Sequence, residues 1–163
     1  MIRLGIISDS HDTPVWLEPF LALANRERYD AVFHLGDGRG DVRWLAKRLN
    51  MPLISVAGNC DYGSSGPREA LETFEGHRIL AVHGHKYDVR WGLERLSYRA
   101  EELCADIALY GHTHEAQASF VGPVLTLNPG ALLHGEYAEL LLDGRRVTPY
   151  LKNLCARIGQ CLK

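Results

Sequence analysis

The stretch Ile2-Arg-Leu-Gly-Ile-Ile-Ser-Asp-Ser-His11 begins with an apolar run and ends in polar side chains. A short apolar run of this kind predicts a buried β-strand. Side chains two residues apart in extended chain share a face, so we expect Asp9 and His11 to point together from the end of the strand. A carboxylate beside an imidazole suits a transition metal better than calcium, which prefers oxygen ligands alone. For this stretch by itself, the simpler alternative is that Asp9 is a turn residue and His11 is exposed.

Four more apolar runs are each followed by side chains that can bind a metal, and this recurrence favours the metal interpretation. One of them, Ala31 to Leu35, leads into Asp37, and the three glycines around that carboxylate allow the backbone to approach a ligand closely. The other runs end in Asn59, in His83 with His85, and in His112 with His114. Turn chemistry alone explains an isolated Asn, whereas paired histidines are typical transition-metal ligands.

Composition limits the classes of protein that the chain can belong to. Its 163 residues predict one domain, residues 1–163, and 20 acidic against 18 basic side chains give no basic field for non-specific nucleic-acid binding. The apolar N-terminal run is too short for a signal peptide, and no stretch approaches the roughly 20 apolar residues that span a bilayer. We therefore expect a cytoplasmic protein with no membrane association, whose four cysteines lack a C-x-x-C spacing.

The remaining pattern alternates helices with strands and then turns to hairpins. One helix is predicted after Thr13-Pro14, and Pro19 either kinks it or starts its regular part. Two more are predicted at Val42 to Leu49, with Asp41 as the cap, and at Trp91 to Leu103. Further strands are predicted at 53–57, 71–76, 77–82, 107–110, 124–127, 138–142 and 146–150. A helical tail, residues 151–163, is predicted to pack on the protein or to mediate a homo-oligomer, with Leu151, Leu154, Cys155, Ile158 and Leu162 on one face.

This order predicts an α/β fold whose functional loops meet at the carboxyl ends of the strands. Seven oxygen and nitrogen donors follow apolar runs in this way: Asp9, His11, Asp37, Asn59, His83, His112 and His114. They are more than one tetrahedral ion can use. Two divalent ions, bridged by one carboxylate and held roughly 3.5 to 4 Å apart, fit the number of donors.

At these motifs the chain resembles the calcineurin-like metallophosphoesterases, and most closely their small bacterial and archaeal phosphodiesterases. The matching motifs, in the order of the family, are D-S-H at 9–11, G-D at 36–37, G-N-C-D at 58–61, H-G-H at 83–85, G-H-T-H at 111–114 and N-P-G at 128–130. The resemblance implies two facing mixed β-sheets flanked by helices, a four-layer αββα sandwich. It also implies that Asp9, His11 and His114 bind one ion, that Asn59, His83 and His112 bind the other, and that Asp37 bridges them.

The chemistry expected of such a centre follows from its charges. Two carboxylates against two divalent ions leave a positive cluster that attracts a phosphate and stabilises negative charge in the transition state. A water bridging the ions would lose a proton near neutral pH and attack phosphorus in line. Manganese is the first choice of metal in this prediction, and iron, nickel, cobalt or zinc also suits the mixed donors. Arg39 is a candidate contact for the phosphate, and a solvated loop arginine is the alternative.

The chain departs from the wider superfamily at two positions. Cys60 stands where many members have a histidine thought to protonate the leaving oxygen, which favours diester over monoester substrates. Ala131 replaces a serine that is no ligand, and His85 is a candidate for orienting substrate. A small phosphoester is the expected partner. The alternatives are a catalytically weak protein-interaction scaffold of the same fold, like the retromer scaffold subunit, and a metal-dependent nuclease, although nucleic acid is not the expected substrate.

Overall fold

The computed structural model describes residues 1–63 and 66–155, which form two β-sheets, three α-helices and three short 3-10 turns. The strands are β1 Ile2–Ile7, β2 Ala31–His34, β3 Leu53–Ser55, β4 Glu69–Phe74, β5 His77–Val82, β6 Ile107–Leu109, β7 Gln117–Val121, β8 Val124–Asn128, β9 Glu136–Asp143 and β10 Arg146–Asn153. The helices are α1 Leu17–Glu27, α2 Arg39–Leu45 and α3 Glu94–Glu102. Within these residues no helix is long and apolar enough to span a membrane.

Each sheet has five strands and combines parallel with antiparallel pairing. The first sheet has the order β10-β9-β1-β2-β3, and its strands β1, β2 and β3 are parallel. The second has the order β4-β5-β6-β8-β7, and its strands β5, β6 and β8 are parallel. Parallel neighbours end at the same edge of a sheet, so the turns that follow β1, β2, β5 and β6 are brought together.

The two sheets face each other across an apolar core, because alternate side chains of each strand point to opposite faces. Leu4 and Ile6 of β1 lie in this core, whereas Ile7 packs under α1 and α2 on the other face. In β5, Ile79 lies in the shared core and Leu80 packs against α3. The predicted arrangement of two facing mixed sheets flanked by helices is confirmed.

The helices begin and end at other residues than the sequence predicted. A 3-10 turn over Pro14–Trp16 precedes α1, and Pro19 lies in the first turn of α1, where its missing N–H needs no partner. Helix α3 is shorter than predicted, because Trp91 lies before it with 92% of its surface exposed. Strand β7 was not predicted from the sequence, and it pairs with β8 in an antiparallel hairpin.

The predicted cap of α2 was wrong. Helix α2 begins at Arg39, so that Asp41 lies inside its first turn and is buried. Two other carboxylates accept the N–H groups at this end of the helix. Asp61 Oδ1 accepts from Gly38 and Arg39, both at 3.0 Å, and Asp12 Oδ1 accepts from Gly40 and Asp41 at 2.8 and 3.2 Å.

The predicted helical tail was wrong at its start, because Leu151 belongs to β10, which continues to Asn153. Leu154 and Cys155 are helical, as predicted, and Leu154 packs in the core under α1 and α2. The remainder of the tail prediction, at residues 156–163, lies outside the described residues.

His77, at the start of β5, predicts a pH-dependent contribution to stability. Its Nδ1 contacts the Asp106 carboxylate and its Nε2 lies 2.8 Å from the Gly144 carbonyl oxygen, so both nitrogens carry hydrogen only when the ring is charged. Partial burial opposes that charge, but these two hydrogen bonds raise the pKa of His77 above its usual value. Its stabilisation is therefore complete below the unfolded pKa of about 6.5 and is lost as the pH rises through the higher folded value.

We expect His77→Gln to lower the melting temperature by about 2–4 °C at pH 6, the shift that corresponds to about 1 kcal/mol in a domain of this size. Raising the pH to 9 favours the neutral ring, so the difference between variant and wild type should be smaller there. Thermal denaturation at both pH values measures it. An equal loss at pH 6 and pH 9 would show that the charged form of the ring contributes nothing.

Candidate metal centre

The candidate ligands lie on turns that are tied to one another by backbone hydrogen bonds. The N–H of Asp9 donates to the Gly36 carbonyl at 3.0 Å, and the N–H of His11 donates to the Asp37 carbonyl at 2.8 Å. The N–H of His112 donates to Asp9 Oδ2 at 3.0 Å, which links the turn after β6 to the turn after β1. Ligand turns from both sheets are therefore fixed at one place.

Five candidate ligands have a left-handed backbone, which is uncommon for residues other than glycine. The φ angles are 52° at Asp9, 51° at His11, 57° at Asp37, 70° at His112 and 61° at His114. Strain of this kind is concentrated at functional sites. It also corrects one expectation: these side chains converge from tight turns beyond the strand ends, and not from extended chain.

A first cluster contains Asp9, His11 and His114, the three residues expected to share one ion. Nε2 of His114 lies 3.1 Å from Asp9 Oδ1 and 3.2 Å from His11 Nε2. Two imidazole nitrogens and a carboxylate oxygen that face one another at this range form a set of donors for one cation.

A second cluster contains Asp9 and Asp37 with His83. Nε2 of His83 lies 3.4 Å from Asp37 Oδ2, 4.0 Å from Asp9 Oδ1 and 3.0 Å from Asn59 Oδ1. Nδ1 of His83 donates to the Leu35 carbonyl at 2.8 Å, so the neutral ring presents the lone pair of Nε2 to the cluster.

One buried atom tests whether the clusters fit metal ions. Asp9 is completely buried, and its Oδ1 has no hydrogen-bond partner of adequate geometry within the described part of the chain. An unpaired buried carboxylate oxygen is costly unless a cation compensates it. Because this oxygen faces the histidines of both clusters, the residues present fit a divalent ion.

The charges around Asp37 and His83 lead to the same conclusion. Burial by itself would raise the pKa of Asp37, but His83 and the N–H of Cys60 hold that pKa below its usual range. Burial opposes a charge on His83, yet Asp37 and Asp9 raise its pKa. In the absence of metal the two carboxylates therefore favour a proton on His83, and a bound cation would take the place of that proton.

His112 and Cys60 lie beside these clusters. The ring centroid of His112 is 5.1 Å from that of His83. Cys60 is exposed, and its Sγ lies close to His11 and Asp37 in a third set of possible ligands. Its thiol bonds to the Asp37 carboxylate, and this bond together with partial burial raises the pKa of Cys60 to about 11.

His85 and Arg39, the two candidates for substrate contact, are placed differently. The ring of His85 has its centroid 5.5 Å from that of His83, and its buried Nδ1 has no hydrogen-bond partner among the described residues. His85 therefore lies beside the metal clusters. The guanidinium of Arg39 donates to the Tyr62 carbonyl at 3.1 Å, and its role in substrate contact stays a prediction.

Sequence reasoning missed two arginines near the site. Arg68 Nη1 donates to the Gly58 carbonyl at 3.5 Å, and Arg90 Nη2 donates to the His112 carbonyl at 3.4 Å. Burial and the charge of His83 are the main causes that lower the pKa of both His85 and His112. The Arg68 guanidinium lowers the pKa of His85 further, and the Arg90 guanidinium does the same for His112. Neither arginine belongs to a motif, so nothing in the sequence connected them with the ligands.

A buried histidine that was also missed supports the first turn. The N–H of Gly36 donates to His34 Nδ1 at 3.2 Å, so the hydrogen lies on Nε2, which contacts Ser10 Oγ at 2.9 Å. Burial lowers the pKa of His34 to about 4, which keeps this ring neutral. His34 therefore holds in place the residue between the two ligands Asp9 and His11.

Asp61, the last residue of the G-N-C-D motif, holds the turn that carries Asp37. Its Oδ2 accepts the N–H of Asp37 at 2.9 Å and the N–H of Gly58 at 2.8 Å, in addition to its two bonds at α2. The turn is so tight that a Cβ at Gly58 would lie 2.0 Å from Asp37 Oδ1. Four backbone donors on one carboxylate make Asp61 a positioning residue for the second cluster.

We expect Asp61→Asn to weaken Mn²⁺ binding by about 10–100-fold, the range typical of residues that position ligands. The amide has one acceptor oxygen for four N–H groups, and its own NH₂ faces two of them. Titration calorimetry with Mn²⁺ measures the affinity. Asp143→Asn is the matched control, because Asp143 is the exposed last residue of β9 and lies beside the start of β1, whereas the ligands follow the end of β1. Unchanged affinity in Asp61→Asn would contradict the positioning role.

Comparison with known sequences identifies the family. The model of the calcineurin-like phosphoesterase superfamily domain matches residues 2–140. The probable metallophosphoesterase YsnB of Bacillus subtilis is 35% identical over 127 residues, which are 78% of this chain and 73% of YsnB. Phosphodiesterase MJ0936 of Methanocaldococcus jannaschii is 28% identical over 144 residues, with 79% of this chain and 83% of the relative covered.

Solved structures agree with this assignment. A crystal structure from Streptococcus pneumoniae, described as a predicted phosphoesterase, has a TM-score of 0.79 and 28% identity, and the match covers 94% of this chain and 90% of the other. Vps29 from Entamoeba histolytica has a TM-score of 0.78 and 22% identity over 92% of this chain and 91% of its own, which shows a shared fold. Because the family model matches most of the chain, from β1 into β9, this protein belongs to the calcineurin-like phosphoesterase superfamily.

Proposed function

We propose that the protein is a phosphodiesterase that depends on two divalent ions per chain. The observation that carries the proposal is the convergence of two buried carboxylates, Asp9 and Asp37, with histidines from both sheets around an Asp9 oxygen that has no hydrogen-bond partner among the described residues. The relative named a phosphodiesterase supports the diester specificity, because its match spans most of this chain.

In this proposal, Asp9, His11 and His114 hold one ion, and Asn59, His83 and His112 hold the other, with Asp37 shared. When bound, the two ions supply positive charge against the phosphate and activate water as the nucleophile. The chain itself supplies the fixed orientation of the donors and the buried carboxylates. His85 and the guanidinium groups of Arg68 and Arg90 provide contacts for the phosphate oxygens.

Manganese is the first choice of metal, since carboxylate and imidazole donors suit it, and iron, nickel, cobalt or zinc also fits the donor set. If Cys60 becomes a ligand through the third set, zinc or iron would be favoured over manganese, because a thiolate is a soft ligand. The proposal includes a small phosphoester substrate and a cytoplasmic location.

A phosphoester panel with metal-loaded protein tests the function. The panel compares bis-p-nitrophenyl phosphate, p-nitrophenyl phosphate, linear and cyclic nucleotides, each with Mn²⁺ and with EDTA. We expect the activated diester to be hydrolysed with a higher kcat/KM than the monoester, and only with metal present. Faster hydrolysis of the monoester would contradict the diester specificity.

The second candidate function is a protein-interaction scaffold, and the shared fold with Vps29 is the observation that favours it. A scaffold has no need for the unpaired Asp9 oxygen or for the left-handed turns at five candidate ligands. We therefore prefer the enzyme. Metal-bound protein that hydrolyses none of the panel would reverse this preference.

Cys60 provides a prediction about the leaving group. General acid catalysis needs a donor whose pKa lies near the working pH, and it contributes roughly a hundredfold or more. Without bound metal the pKa of the Cys60 thiol is raised to about 11, and beside bound cations the thiol would ionise, so in neither state does it serve as a proton donor near neutral pH. We expect Cys60→His to raise kcat/KM for alkyl phosphates relative to activated aryl esters, by about tenfold or more.

Cys60→Ala is the matched control, and it should cost the activated aryl diester little. The measurement is kcat/KM across a series of diesters whose leaving groups have graded pKa values. If the wild-type protein shows no dependence on the leaving-group pKa, Cys60 is not the reason for the preference, and His85 becomes the next candidate for the proton donor.

A further inference from the structure

A cavity of about 680 Å³ lies beside the turn that carries His112 and His114. Residues 89–93 form one wall, and residues of the segment from Tyr110 to Gln117 form the other. Its volume falls within the range of roughly 300 to 1,000 Å³ that is typical of small-molecule sites. The metal ligands themselves do not line this cavity, so the proposed hydrolysis does not explain it.

Three features show that the cavity adjoins the metal centre. Thr113, which lines the cavity, is the residue between His112 and His114. Arg90 lines it too, and its guanidinium donates to the His112 carbonyl at 3.4 Å. Val89 packs so closely on the turn between His83 and His85 that a Cβ at Gly84 would lie 2.8 Å from it. The cavity therefore adjoins the two turns that carry the candidate ligands His83, His112 and His114.

The lining combines a flat aromatic surface with hydrogen-bonding groups. Trp91 is 92% exposed, although burying an indole is strongly favourable. The Tyr110 hydroxyl donates to Gln117 Oε1 at 3.4 Å, which orients that amide and leaves its NH₂ as a donor at the cavity wall. A heteroaromatic base has both a face that stacks on an aromatic ring and an edge that hydrogen-bonds to an amide, whereas a simple aryl group has only the face.

We propose that this cavity binds the organic group of the substrate, and that this group is a nucleoside whose base stacks on Trp91. The phosphodiester then lies between the metal clusters and the Arg90 guanidinium, which supplies a fixed positive charge at the boundary. This inference rests on the proposed phosphodiesterase function and adds the substrate class to it.

Two diesters with the same leaving group test the inference. Thymidine 5′-p-nitrophenyl phosphate and methyl p-nitrophenyl phosphate both release p-nitrophenol, so they differ only in the group that would occupy the cavity. We expect wild-type kcat/KM to favour the nucleoside ester by about tenfold, the scale of stacking one base on an aromatic side chain, with the difference mainly in KM. Trp91→Ala should reduce that ratio to near one.

Tyr98→Ala is the matched control, because Tyr98 is an exposed aromatic residue on α3 that lines a different cavity. It should leave the ratio of the two esters at the wild-type value. A wild-type ratio near one, or an equal loss of both esters in Trp91→Ala, would overturn the nucleoside subsite while the phosphodiesterase function stands.

If neither ester is hydrolysed, that result counts against the proposed function alone. A binding measurement then still decides whether the cavity holds a nucleoside. Titration calorimetry of the Mn²⁺-loaded protein compares adenosine monophosphate with ribose 5-phosphate, which lacks the base. We expect the nucleotide to bind about tenfold more tightly in the wild type and in Tyr98→Ala, and equally in Trp91→Ala. Equal binding in the wild type, or a preference that survives in Trp91→Ala, would refute the base-stacking role.

Discussion

The Asp37→Asn variant is expected to lose both metal ions or nearly all turnover, a fall in kcat/KM of about a thousandfold that corresponds to about 4 kcal/mol of transition-state stabilisation. The substitution keeps the volume of the side chain and one oxygen for the Cys60 N–H, which now bonds to Asp37 Oδ1 at 2.7 Å. It replaces the anionic oxygen opposite His83 by an uncharged group. The loss therefore reports the charge that Asp37 contributes as the proposed bridge between the two ions.

His114→Ala is the comparison that tests the bridging role. His114 faces Asp9 and His11 in the first cluster only, so its removal takes one ligand from one ion. We expect a loss of at least about tenfold in metal affinity, and a smaller loss of turnover than in Asp37→Asn. Bound metal per chain and kcat/KM for an activated diester are the measurements, with Asp143→Asn as the control. Equal, small losses from both substitutions would contradict the roles that we assign.

The sequence predicted the fold well because apolar runs and their order carry the information. In β5, Ile79 and Ala81 face the core between the sheets and Leu80 faces α3, so the strand is buried on both faces. Such a strand is a near-continuous apolar run in the sequence, which makes it easy to predict. Strand β7 was missed because its residues are only partly buried or exposed at the edge of the sheet, so that its pattern is weak. The weak pattern of β7, and not its edge position alone, explains the miss, because the edge strands β3, β4 and β10 were predicted.

The candidate ligands were predicted from the sequence, but the way in which they converge was not. Asp9 and His11 approach the other ligands through left-handed turns, and hydrogen bonds between distant turns determine where these turns lie. The same is true of Asp61, whose four backbone partners lie 3 to 24 residues away in the chain. Contacts of this kind depend on the packing of both sheets, which a local motif does not reveal.

Removing the metal ions is expected to abolish hydrolysis and to leave most of the fold intact. The three apolar clusters that hold the sheets and helices together contain none of the seven candidate ligands, which lie on turns beyond the strand ends. Without the ions, however, the two buried carboxylates lose their compensating charge. An ion at a hundred times its dissociation constant contributes about 2.7 kcal/mol, so we expect stripped protein to melt about 5–10 °C lower for each ion lost.

The experiment combines three measurements on protein treated with EDTA and then supplied with Mn²⁺. Circular dichroism should report unchanged secondary structure, the melting temperature should fall and recover, and hydrolysis should vanish and return with two ions bound per chain. Asp37→Asn is the control, because Mn²⁺ should raise its melting temperature much less. Active protein with bound metal near zero would refute the dinuclear centre. Reversible stabilisation by Mn²⁺ without hydrolysis would instead mean that the buried carboxylates hold ions for a structural purpose, and it would favour the scaffold alternative.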